Sequence, residues 1–349
     1  MDSSDDTMCL KISVWEIIYS EVELIAKEDN CKVNCVTEQT KRCRQSVTPV
    51  FQEETNMYID IPREPFPCDD PSVINIRQKL FPEEEKMPLA KYFYNYPLHY
   101  PTPLEMQIIN NMNPVDPADV IQPQNFLDLL KPYGYDKVEL GYCMFPDGSG
   151  YVATYRVRPA SITGEMERWY RNWRNLKSKS MIPGHGNLRY KIWNYADHYD
   201  HYYVNWQDGS DGIHTTESLD LGHGDRMYDT IRHQFDLKDF GLTDEKLEEL
   251  KAAGCQCNGK GSYETFDTPG THLCLSYSRP CPTGGVETRS REWIGWRPVN
   301  GKLVRDERTY CTEEYLKMVV IHTLVEWEHL YTFLPDLYAE YHDQPIDAD

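Results

Sequence analysis

The strongest constraint on this chain is near its far end. Between 312 and about 333, Tyr315, Met318, Val319, His322, Leu324, Val325 and Leu330 recur at the three- and four-residue spacing of a single helix face. Thr312 followed by Glu313 and Glu314 supplies a start signal, and Pro335 a stop. A long helix with one apolar face needs a surface to lie on. The preceding segments offer one. Residues 137–159 hold two strand-like runs around the turn Pro146-Asp147-Gly148-Ser149-Gly150, which is the pattern of a β-hairpin. The stretches LRYKIWNYADHYDHYYVNW (188–206), IHTTESLDLG, THLCLSYSRP and ETRSREWIGW also read as strands. The pattern predicts an α+β fold in which a curved antiparallel sheet is covered by the C-terminal helix.

Elsewhere the local signals are shorter. Thr163 caps a predicted helix to Trp173, with Glu165 near its positive end and Met166, Trp169, Tyr170 and Trp173 on one face. Residues 243–253 form another helix, closed by Gly254. From Pro62 to Pro132 there are 13 prolines, each lacking an amide donor, so extended chain and short helices wrapped on the core are expected there. Residues 8–28 have helix-like spacing, and periodicity is then lost through a cysteine-containing stretch to about 52. The chain therefore divides into an N-terminal appendage (1–60), a proline-rich wrapping segment (61–136) and a main domain (137–341).

Composition narrows the function. With 36 Lys and Arg against 56 Asp and Glu, the formal charge is −20, and no basic cluster reverses it locally. Such a chain repels phosphate backbones, which argues against nucleic acid as a partner. No apolar run approaches the roughly 20 residues of a membrane span. Residues 1–7 carry three aspartates and no basic residue, unlike a secretory signal or transit peptide, so a cytoplasmic location is expected. The 11 cysteines are odd in number and irregularly spaced, and read as reduced thiols. Neither Cys31, Cys35 and Cys43 nor Cys255 and Cys257 match a paired C-x-x-C knuckle.

Chemistry is suggested by His322 and Glu326. Four apart on a helix, they project from neighbouring turns to the same side, roughly 5–6 Å apart at Cβ. Imidazole nitrogen and carboxylate oxygen are ordinary zinc ligands, but a stable site needs three or four, and the H-E-x-x-H pattern of metalloproteases is absent. Six of the 11 histidines fall between the aromatic helix and Phe240: His185, His198, His201, His214, His223 and His233. His198 follows Asp197 in an aromatic run, and Glu217 follows a glycine turn, so both are candidate sheet-borne ligands facing the helical pair. Taken singly, each of these side chains is more simply read as a hydrogen-bonded core or surface residue.

Five segments in order, TGEMERWYRNW (163–173), LRYKIWNYADH (188–198), HTTESLDLG (214–222), ETRSREWIGW (287–296) and HTLVEWEHLYTFLPDLYAEY (322–341), resemble the diacetylphloroglucinol hydrolase and phloretin hydrolase family. The resemblance covers about 137–341. It implies a Bet v 1-like helix-grip fold and a Zn²⁺ ion held by two His and two Glu, here His198, Glu217, His322 and Glu326. It also implies hydrolysis of the C–C bond between an acyl group and a phloroglucinol-type ring in a small aromatic ketone. The stretch from His198 to Glu217 is shorter than in the bacterial enzymes, which leaves His185 or His201 as the alternative first ligand. On this reading Tyr190 contacts a phenolic hydroxyl, and His201 or Tyr277 assists proton transfer. Trp169, Trp173, Trp193 and Trp293 either line the pocket or belong to the core. The architecture also hosts carriers and cyclases, so an aromatic polyketide binding protein or cyclase without C–C hydrolysis is the competing expectation. A homo-oligomer is compatible with the sequence.

Overall fold

The structure, a computed structural model, describes residues 61–111, 114–205, 212–223, 227–266 and 270–349. The appendage expected over 1–60, with its helix and with Cys31, Cys35 and Cys43, lies outside the described residues.

Eight strands form one antiparallel sheet: β1 (Gly141–Met144), β2 (Gly150–Arg158), β3 (His198–Tyr203), β4 (Ile213–Glu217), β5 (Tyr228–Asp236), β6 (Lys260–Phe266), β7 (Thr271–Pro280) and β8 (Val286–Ile294). Their spatial order is β1-β2-β8-β7-β6-β5-β4-β3. The chain makes the β1–β2 hairpin, crosses to the opposite edge at β3, and meanders back until β8 pairs with β2. The hairpin turn is the expected one: Asp147 Oδ1 accepts from the Ser149 amide at 2.9 Å, and Gly148 takes a φ of 78° that few other residues adopt cheaply.

Alternation along the strands separates two apolar layers. Cys143, Tyr151, Ala153, Leu273, Leu275, Tyr277 and Trp293 pack on one face, together with Phe126, Leu237 and Leu250. Tyr142, Val152 and Ile294 face the other way, where they meet Tyr315, Leu316, Val319 and Val320 of the C-terminal helix. The proline-rich segment contributes a short ribbon (Arg63–Pro65 with Ile76–Gln78) and the helices α1 (Ala90–Asn95) and α2 (Pro103–Asn111), as its composition predicts. Helix α3 (Gly164–Trp173) begins where Thr163 Oγ1 accepts from the Met166 amide at 3.2 Å.

Two expectations need correction. Residues 188–191 are a short helix, α4 (Leu188–Lys191), not a strand. Asn187 caps it by accepting from the Arg189 amide at 3.0 Å. Arg189 and Lys191 are both buried, held by Asp349 at 2.6 Å and Glu84 at 2.8 Å. After α5 (Asp244–Ala252), the last helix, α6, runs Glu313–Tyr341 straight through Pro335. A proline inside a helix costs about 3 kcal/mol or more. Burial of Leu334, Leu337 and Tyr341 in the core holds the turns beyond it. Among the described residues, no helix is long and apolar enough to cross a membrane.

The Lys191–Glu84 pair is nearly solvent-free, with side chains 1% and 0% exposed. Glu84→Ala should therefore cost about 3–5 kcal/mol in urea unfolding, because it strands a buried ammonium, whereas the double variant Glu84→Leu/Lys191→Met should recover most of that loss.

Candidate active site

Strands β3 and β4 place the first two candidate side chains. His198 opens β3, Glu217 closes β4, and the two residues sit directly opposite each other in the ladder, just before a register irregularity at Asp200. Side chains on such a rung approach closely. His198 Nε2 lies 3.6 Å from Glu217 Oε2 and 3.3 Å from Glu326 Oε2. Helix α6 supplies Glu326 and, one turn earlier, His322, whose Nε2 is 3.8 Å from the same carboxylate oxygen. Donor atoms of His198, His322 and Glu326 all lie within 4.8 Å of one another, and Glu217 adjoins them through His198. The fold thus brings His198, Glu217, His322 and Glu326 to one place. His185 is elsewhere, stacked on Phe81 at 3.7 Å.

The surroundings orient both imidazoles. His198 Nδ1 faces the Tyr190 carbonyl at 3.3 Å, and with the proton assigned there Nε2 turns a lone pair to the carboxylates; that Nε2 is buried without a hydrogen-bond partner. His322 Nδ1 lies 2.8 Å from Asp197 Oδ2. The other Asp197 oxygen accepts from Ser218 Oγ at 2.8 Å and from the Gly222 amide at 3.0 Å. Asp197 was not foreseen as functional. A carboxylate behind a ligating histidine is the usual second partner at metal sites, and its adjacency to His198 was the available signal.

Burial dominates the electrostatics. It pushes Glu326 up to about 7, against the pull of His322 and Arg174. It raises Glu217 as well, and the neighbouring Glu326 charge adds to the rise. It lowers His198 to about 3 and holds His201 well below its ordinary value. For His322 burial acts downward too, but the hydrogen-bonded Asp197 carboxylate, with Glu326 and Glu217 nearby, overrides it and lifts the imidazole to about 9. Two crowded carboxylates facing a partnerless imidazole nitrogen suit a divalent cation: two nitrogen and two oxygen donors form an ordinary zinc set. Glu217 and Glu326 keep 21% and 12% of their side-chain surface accessible, so the cluster is open on one side.

Tyr190 and His201 border this cluster. The Tyr190 hydroxyl donates to Glu217 Oε2, and its ring stacks on His198 at 3.8 Å and on His201 at 4.5 Å. His201 Nδ1 is 2.9 Å from Thr215 Oγ1, while its Nε2 is buried without a partner. Tyr277 is not part of the site. It lies on the sheet face turned away from α6, where its hydroxyl donates to the Lys131 carbonyl at 2.6 Å and accepts from Arg289 Nη1 at 2.9 Å. Trp293 shares that face and belongs to the core, with Nε1 bonded to the Ile121 carbonyl at 2.8 Å. Trp169 and Trp173 stack on each other at 5.0 Å and pack on Tyr338 and Tyr341 of α6. Of the four tryptophans only Trp193 borders the cluster, its ring 5.0 Å from His198 and its Nε1 bonded to the Glu326 carbonyl at 2.7 Å.

Residues 121–339 match the family model described as the DAPG hydrolase PhiG domain. The chain belongs to the DAPG hydrolase family. It is 27% identical over 275 residues to the phloretin hydrolase of Eubacterium ramulus, covering 75% of this chain and 93% of that protein. It is 24% identical over 289 residues to the 2,4-diacetylphloroglucinol hydrolases of a Pseudomonas sp and of Pseudomonas protegens, covering 76% of this chain and 93% and 89% of those proteins. The resemblance carried by the five sequence segments is borne out, and this DAPG hydrolase-family chain is an enzyme of the hydrolase class.

In protein stripped of divalent cations, stability should fall between pH 6.5 and 9, because folded His322 keeps to about 9 a proton that the unfolded chain releases near 6.5. Glu326, lifted to about 7, acts in the same direction at the lower end of that window. Melting temperatures across this range should show the decline, and Asp197→Asn should flatten it.

Proposed function

We propose that this chain is a zinc-dependent hydrolase that cleaves the C–C bond between an acyl group and a phloroglucinol-type or related phenolic ring. The observation that carries this reading is the partnerless, buried His198 Nε2 facing two carboxylates with His322 alongside, in a chain whose relatives are named for hydrolysing phloretin and 2,4-diacetylphloroglucinol. His198, Glu217, His322 and Glu326 would hold the ion. When bound, Zn²⁺ supplies Lewis acidity toward the acyl oxygen and a lowered pKa for water. A helix-grip, Bet v 1-like architecture belongs to the same reading, supported by α6 lying against a wide antiparallel sheet.

The net reaction adds the elements of water. Hydroxyl joins the acyl carbon, the C–C bond breaks with its electron pair left on the ring, and a proton ends on the ring carbon. Tyr190 is suited to donate to a ring oxygen, because burial and the adjacent Glu217 keep its phenol protonated well beyond neutral pH. Its hydroxyl now serves Glu217, and neutralising that carboxylate frees it for substrate. His201 stays neutral at working pH, and its open Nε2 lets it share the proton transfer from beside Tyr190. Trp193 offers a flat apolar wall next to His198.

Elemental analysis of the purified enzyme should find one zinc per chain. Incubation with acylphloroglucinols and dihydrochalcones should yield, by mass spectrometry, the free acid and the ring bearing hydrogen in place of the acyl group. His322→Ala and Glu326→Ala should each lose the metal and the activity together; active metal-free protein, or full metal and turnover in both variants, would overturn the assignment. Asp197→Ala, which removes only the partner behind His322, should weaken zinc binding by about 10–100-fold, measured by competition with a chelator.

A further inference from the structure

Arg174, at the end of α3, is only 5% exposed, yet its Nε and Nη1 are buried with no hydrogen-bond partner. Among the described residues it forms no ion pair. The chain treats its other deeply buried arginines differently: Arg189 is held by Asp349, Arg279 by Glu287, Arg289 by Asp136 and Glu139, and Arg291 by Glu139. What Arg174 has instead is an aromatic face. Its guanidinium carbon lies 4.2 Å from the centroid of the Trp193 ring and 5.4 Å from that of Tyr170. Trp193 is the residue that borders the imidazole–carboxylate cluster, at 5.0 Å from His198 and 6.0 Å from Tyr190. The charge of Arg174 is felt by Tyr190, His198, His201 and Glu326 alike. A guanidinium fixed by stacking, stripped of water and left with open N–H groups beside a reaction centre is arranged for an anion that arrives with the ligand.

We propose that Arg174 is the anion-binding residue of this site and that it takes a ring oxygen of the phenolic substrate in its ionised form. The inference rests on the acyl-aryl hydrolase reading above and narrows it to phenols with a hydroxyl conjugated to the acyl-bearing carbon. When the C–C bond breaks, the electron pair left on that carbon is delocalised onto the conjugated oxygen, where the guanidinium N–H groups receive it. The ring carbon then takes the proton left from water, so aryl ketone plus water gives arene plus carboxylic acid, with nothing oxidised or reduced. Arg174 thereby stabilises the leaving ring, a task separate from polarising the acyl group.

The test uses the zinc-loaded enzyme and nitrophloroglucinol, a chromophore in which a nitro group stands where the acyl group would be and nothing can be hydrolysed. Bound to the unmodified enzyme, it should show the phenolate spectrum at a pH where the free compound is still largely protonated. In Arg174→Met, with zinc content unchanged, the apparent pKa of the bound chromophore should rise by about one unit or more, a tenfold weaker hold on the anion. The kcat/KM for an acylphloroglucinol should fall at least about 100-fold, and Arg174→Lys should restore part of both. The melting temperature of Arg174→Met should stay level or rise, because an uncompensated buried charge has been removed; a structural arginine would give the opposite. Should Arg174→Met not fold, Arg174→Lys and Arg174→Gln carry the same spectral comparison. An unshifted chromophore in the variants, or a loss confined to inhibition by the acyl carboxylate product, overturns the assignment of Arg174 while leaving the hydrolase reading intact. Absence of both acylphenol hydrolysis and chromophore binding in the unmodified enzyme overturns both.

Discussion

The seating of α6 on the sheet is the constraint on which the rest depends. Its first turns bury Tyr315, Leu316, Val319 and Val320 against Tyr142, Val152 and Ile294 of the sheet. Its later turns bury Val325, Leu330, Phe333, Leu334 and Leu337 among α3, α4 and the wrapping segment. Each such side chain contributes roughly 1.5–3 kcal/mol. Between these two apolar lengths lie His322 and Glu326, pressed toward the edge of the sheet that carries His198 and Glu217. Like-charged and desolvated groups would not gather there unaided. Apolar contacts on either side hold them together, and the weakened acidity of Glu217 and Glu326 is the electrostatic cost of that placement.

Sequence signals were reliable where they were local. The Thr163 cap, the Pro146–Gly150 turn and the helix ending before Gly254 all rest on contacts within a few residues, and each is found as expected. Signals failed where a distant partner decides. Residues 188–191 read as a strand, but they form a helix whose Arg189 and Lys191 are held by Asp349 and Glu84 from far along the chain. Pro335 reads as a stop until the core holds the turn beyond it. Tyr277 and Trp293 occupy strands of the same sheet, but strand parity turns them to the face away from α6, and parity relative to a helix is not written in either segment. His322 and Glu326 were legible from helix spacing. His198 and Glu217 stood out in the sequence only as candidates among several titratable side chains, because a ladder rung joins residues whose sequence separation carries no code.

Buried charge is handled in two ways. Beneath the sheet, Arg279, Arg289 and Arg291 are neutralised by Glu287, Asp136 and Glu139, leaving a rigid polar layer with little left to offer a ligand. Around His198 the balance is left open: a nitrogen without a partner, two carboxylates held as weak acids and a guanidinium stacked only on rings. The first arrangement stabilises a fold. The second leaves polar groups that the described residues do not satisfy.

The four donors come as two preset pairs, one on a single turn of α6 and one on a single rung of the β3–β4 ladder. The helix turn and the ladder rung fix the backbone spacing within each pair. The backbone dimension left to vary is the gap between helix and rung, and a bound ion would act as a rivet across that seam. Any breathing of the sheet margin would register at all four side chains simultaneously, coupling the mechanics of an outer strand directly to the strength of the grip at the centre.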